Sequence, residues 1–77
     1  MSEKLEKIVK KLKKIYEVEF IESDTDFTIT LLNLSEYKAL MAHNSLYDLV
    51  FEEYGMGGML RMNYKKNKLI FQYEPKI

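Results

Sequence analysis

The chain has no cysteine, no tryptophan, one proline and one histidine among its 77 residues. Without cysteine there is no disulfide staple and no thiolate metal site, so stability must come from apolar packing, helped at most by oligomerisation. No apolar run approaches the ~18 residues that span a membrane. The N-terminus opens on a charged helix pattern rather than the apolar stretch of a signal peptide, which makes the cytoplasm the expected compartment. In that setting the sequon-like triplet Asn33-Leu34-Ser35 is read as unglycosylated.

Hydrophobic residues make up 47% of the chain, too large a share for a disordered one, and six Tyr and four Phe supply large side chains for burial. The length allows one domain, residues 1–77, that buries roughly 60–65% of its unfolded surface.

Charge sums to zero but is segregated along the chain. Residues 1–16 carry six Lys against two Glu, and residues 54–77 carry five bases against Glu74 alone. Between them, residues 17–53 carry nine acids and a single base, Lys38. Such an order bears on partner choice and association rate rather than on fold.

Apolar periodicity sets the elements. Leu5, Ile8, Val9, Leu12, Ile15 and Tyr16 recur at helical spacing, with lysines covering the rest of the wheel and Ser2 placed as N-cap. From Tyr16 to Glu22 the period changes to two: Val18 and Phe20 face one way, Glu17 and Glu19 the other. Ser23-Asp24-Thr25-Asp26 is turn chemistry, and the alternation of Phe27, Ile29 and Leu31 completes a β-hairpin.

Ser35 caps a helix that runs to about Tyr54 and stops at Gly55, with Leu40, His43, Leu46, Tyr47, Val50, Phe51 and Tyr54 on one broad face. Ser45-Leu46-Tyr47-Asp48 resembles a second capping box, so one long helix and two short ones both fit. After Met56-Gly57-Gly58, a second hairpin turns at Lys66-Asn67, facing Tyr64 to Leu69, Met62 to Phe71 and Leu60 to Tyr73. Pro75 ends the last strand. The expected fold is a single α+β domain of order α-β-β-α-β-β, with two helices on one face of a four-stranded antiparallel sheet. The sequence leaves open whether the two hairpins join edge to edge or pair across a dimer.

Catalytic and cofactor chemistry finds little to stand on. His43 is central in an apolar arc, and Ser45, two positions away, lies on another helix face, so no dyad forms. A partly buried histidine bonded to backbone or a Tyr is the reading. Glu22, Asp24 and Asp26 alternate as cation ligands in a loop can, yet the central Gly and closing Glu of an EF-hand are missing, which favours a solvated turn. Gly55-Met56-Gly57-Gly58 follows a helix and precedes a strand, the reverse of a phosphate cradle. We expect no enzyme activity, no metal and no cofactor.

Interaction surfaces are better supported. Glu17, Glu19, Glu22, Asp24 and Asp26 follow the first strand into its turn, and Asp48 and Glu52 align at i, i+4 on the second helix. A row of carboxylates can occupy a basic groove built for phosphates; the plainer alternative is a solvated face. Met56 and Met59 beside the glycines suit an adaptable apolar contact. The opposite possibility is nucleic-acid binding through Lys7, Lys10, Lys11 and Lys14, with Arg61, Lys65 and Lys66. A pI of 6.6 and a helix stripe without Phe or Trp weigh against nucleic acid and membrane alike.

In size, lack of catalytic residues and charge layout the chain resembles the small acidic-faced α+β inhibitors that phages encode against host nucleic-acid enzymes, anti-CRISPR proteins among them. That resemblance implies a non-enzymatic protein-binding inhibitor acting in the host cytoplasm on a partner with a basic surface. A homodimeric structural protein is the remaining expectation.

Overall fold

A computed structural model describes residues 2–75. Its elements are α1 (Glu3–Lys13), β1 (Glu17–Glu22), β2 (Phe27–Leu32), α2 (Glu36–Tyr54), β3 (Met59–Lys65) and β4 (Lys68–Glu74). This is the α-β-β-α-β-β order the periodicity implies.

Ser2 caps α1, its hydroxyl accepting from the Leu5 backbone N–H at 3.2 Å. Glu3 and Glu6 in the first turn, with Lys10, Lys11 and Lys13 in the last, oppose the helix dipole. Leu5, Ile8, Val9 and Leu12 are buried. Ile15, expected on the same stripe, is 73% exposed because the helix ends at Lys13 and the chain turns toward β1.

α2 is one continuous helix. Ser45 does not open a second one; its hydroxyl bonds back to the Met41 carbonyl at 3.4 Å within the same helix. Ser35 caps the start and Gly55, at φ 75°, closes the end. The buried stripe is Ala39, Ala42, Leu46 and Val50. Leu40, expected on that face, is 69% exposed. His43, Tyr47 and Phe51 lie half-buried on its flank. The two alanines account for the difference: small side chains add little to an apolar wheel, yet both are buried here while the larger Leu40 is not.

The β3–β4 hairpin turns through Lys66 (φ 51°) and Asn67 (φ 62°), the positive pair of a two-residue turn matched to strand twist. Its register is the expected one: Tyr64 opposite Leu69, Met62 opposite Phe71, Leu60 opposite Tyr73.

The strands form one antiparallel sheet in the order β1-β2-β4-β3. The hairpins therefore join within one chain, through β2 and β4, with Phe27 opposite Tyr73, Ile29 opposite Phe71 and Leu31 opposite Leu69. These six side chains form a single core with α1 and α2, so both helices lie on one face of the sheet. Among the described residues, no helix covers the other face.

Gly58 sits where the chain enters β3. A Cβ there would overlap the Tyr73 ring and lie 2.7 Å from the Glu74 carbonyl oxygen. Tyr73 is fully buried and has no room to yield. Gly58→Ala should cost about 2 kcal/mol in urea unfolding, whereas Leu40→Ala on the exposed flank should cost under ~0.5 kcal/mol. Equal losses would contradict the close packing of Gly58 against Tyr73 or the exposure of Leu40.

Candidate interaction face

Strand alternation determines what the open face displays. Val18 and Phe20 pack against the core, so Glu17, Glu19 and Ile21 point outward from β1. On β2 the outward residues are Thr28, Thr30 and Leu32; on β4 they are Lys68, Ile70, Gln72 and Glu74. β3 adds Met59, Arg61, Asn63 and Lys65. The middle of the face is mostly uncharged and half-buried. Acids stand on one edge strand and bases on the other.

The structure divides the predicted acidic set. Glu17 and Glu19 are exposed on the outer side of β1, and the Asn33 amide donates to Glu17 at 3.0 Å. Asp24 is exposed at the following turn. Asp26 reaches the outer face, where the Gln72 amide donates to it at 3.0 Å and the Ser23 hydroxyl donates to its other oxygen. Glu22 is engaged elsewhere: both its oxygens accept from the Ser2 backbone N–H at 3.1 Å, a second anchor for the start of α1. Asp48 and Glu52 occupy the solvent side of α2, across the molecule from Glu17 and Glu19. The carboxylates thus form a ridge on β1 and its turn, and a separate pair on the helix layer.

The basic set is divided in the same way. Lys7, Lys10 and Lys11 on α1 and Lys14 at its C-cap are exposed, in the helix layer. Arg61 and Lys65 stand on the open face, and Lys66 is at the hairpin tip. Lys68 joins them on that face; sequence reasoning passed over it, although its alternation with Leu69 places it there. Met59, 62% exposed, shares the open face at its far end, while Met56, 84% exposed, lies in the loop before β3.

His43 packs edge-on against Tyr47 at 4.7 Å between ring centroids, and Tyr47 continues to Phe51 at 5.2 Å. Beside His43, a groove of about 310 Å³ runs between α2 and β3 over Met62, Tyr64 and Leu69. Among the described residues, no three His, Cys, Asp or Glu side chains converge as metal ligands. No helix of the described residues is long and apolar enough to cross a membrane. Neither a family model nor a curated protein sequence matches the chain.

The carboxyl of Glu22 is held below its ordinary 4.5, chiefly by the Ser2 backbone N–H. That of Asp26 is held below 3.8, first by the Ser23 hydroxyl and then by Gln72. Both contacts favour the charged form in the folded state, so their stabilisation is complete above the unfolded values and is lost as pH falls through the lowered folded ones. Thermal melts of the wild type should decline from about pH 5 to about pH 3, and Glu22→Gln with Asp26→Asn should flatten that decline. An unchanged slope would count against both contacts.

Proposed function

We propose that the protein is a non-enzymatic protein-binding module whose open sheet face, led by the carboxylate ridge of β1, engages a basic partner surface. The observation carrying this reading is the placement of Glu17 and Glu19. Both project from an edge strand, on the face no helix covers, and Asp24 and Asp26 extend the ridge into the turn. Carboxylates in such a row attract a lysine- or arginine-rich surface and speed encounter with it. Met59 adds an exposed apolar contact on the same face. If the partner's basic surface serves to hold nucleic acid, the ridge would mask it, which is the action of a small phage-type inhibitor. Asp48 and Glu52 take no part in this contact, being on the opposite layer. The same separation weakens the nucleic-acid alternative, since the α1 lysines and the Arg61–Lys65 pair do not share a face.

The test uses a triple variant, Glu17→Lys with Glu19→Lys and Asp24→Lys, and wild-type unfolding by urea as the control for folding. A protein captured from source-cell extract by the wild type is purified, and its affinity for both forms is measured. The variant should bind at least ~10-fold more weakly, and added salt should weaken the wild-type complex. Equal affinity for the two forms would end this reading. Low-salt gel shifts should show no retardation of single- or double-stranded nucleic acid.

A further inference from the structure

The face that carries the acid ridge also carries its complement. Glu17 stands opposite Leu32 on β2, and Lys65 opposite Lys68 on β4. Leu31 opposes Leu69, so Leu32 and Lys68 are level, and with them Glu17 and Lys65 at the two edges. Two residues further along, Glu19, Thr30, Ile70 and Asn63 share a level, and then Ile21, Thr28, Gln72 and Arg61. Each level runs from β1 to β3 across a centre that is uncharged except at Lys68. An apolar and hydroxyl-bearing centre with charges at the rim is the anatomy of an interface.

We infer that this face binds a second copy of the chain, the two sheets stacked face to face about a two-fold axis parallel to the strands. The inference rests on the reading above, since the same ridge makes the contact, and adds the β3 edge of a second copy as a basic surface that the ridge meets. That axis exchanges the edges: β1 of one copy lies over β3 of the other, twice. Glu17 then meets Lys65 of the second copy, and Glu19 stands between its Lys65 and Arg61. A two-fold across the strands would instead lay β1 on β1 and β3 on β3, so that neither Glu17 nor Glu19 would meet a base of the second copy's β3. By ordinary strand spacings the face measures roughly 19 by 23 Å, so stacking buries on the order of 1,000 Å² in total. This is the lower limit for a specific interface, and the dimer is accordingly weak and concentration-dependent. Two contacts oppose it. Lys68, level with Leu32, is laid over Leu32 of the second copy, a charge against an apolar side chain. Phe27 is level with Tyr73, so Asp26 is level with Glu74, and the axis brings these two acids together between copies.

Sedimentation of the full chain at low salt, from about 5 to about 500 μM, tests the proposal. The mass should rise from 9.2 kDa toward twice that and stop there. Glu17→Lys with Glu19→Lys, and separately Arg61→Glu with Lys65→Glu, should each weaken the dimer at least ~10-fold, and an equimolar mixture of the two variants should restore it. Glu74→Lys should tighten it, because Glu74 faces Asp26; under a two-fold across the strands Glu74 would face Lys68, and the same change would loosen it. A monomer at every concentration, growth beyond the dimer by edge-to-edge pairing, a dimer indifferent to both reversals, or one loosened by Glu74→Lys overturns the inference. The Arg61→Glu, Lys65→Glu variant keeps the acid ridge intact. Capture of a basic protein by a chain that stays monomeric therefore overturns the dimer alone, while a dimer whose ridge reversal leaves partner capture unchanged overturns the proposed function alone.

Discussion

The antiparallel pairing of β2 with β4 is the constraint on which the rest of the structure depends. It brings together strands separated by α2 and β3, and it sets Phe27, Ile29 and Leu31 level with Tyr73, Phe71 and Leu69. Side chains alternate across a sheet, so a slip of one residue would turn one of these sets into water. With the register held, the outer strands follow: β1 brings Val18 and Phe20 to the same side, and β3 brings Leu60, Met62 and Tyr64. One face becomes continuous apolar surface. Two amphipathic helices are enough to cover it, and among the described residues none remains for the other face.

Three tyrosines tie the layers at their margins, each burying much of its ring and using its hydroxyl at the edge. The Tyr64 hydroxyl donates to the Leu34 carbonyl at 2.6 Å, holding β3 to the link that enters α2. The Tyr73 hydroxyl donates to the Gly55 carbonyl at 3.3 Å, where α2 ends. Tyr54 packs at a tilt against Phe27 and Tyr73, and its hydroxyl meets the Ser2 hydroxyl at 3.2 Å. The start of α1 is thereby fastened to the end of α2, and Glu22 fastens it to β1 as well. These contacts explain why a chain without disulfides can close so small a core.

Topology also converts charge order into charge geometry. Along the chain the acids come before the bases of the second hairpin, but the strand order places β1 and β3 at opposite edges of one sheet. A lengthwise asymmetry becomes a crosswise one on the open face. The helices carry the reverse combination, lysines on α1 and carboxylates on α2, in the other layer. Neutral in sum, the protein presents two polarised surfaces, and the middle of the sheet face is mostly uncharged.

The sequence leaves open whether α2 breaks at Ser45, but it carries the other elements, the caps at Ser2, Ser35 and Gly55, and the register of the second hairpin. Each of these depends on local geometry: helical or strand periodicity, a side chain that satisfies an end, a residue pair that accepts positive φ. It did not determine that Ile15 and Leu40 would be exposed, or that Ala39 and Ala42 would be core. Periodicity marks the apolar side of an element without saying where the element stops or how near its neighbour comes. Nor did it place the acids. Glu17 and Asp48 read as one block along the chain, yet an edge strand and a helix carry them to opposite layers. Tertiary packing settles their places: the burial of apolar faces fixes where each strand and helix goes, and exposed charges, too weak to alter that packing, are carried wherever it puts them.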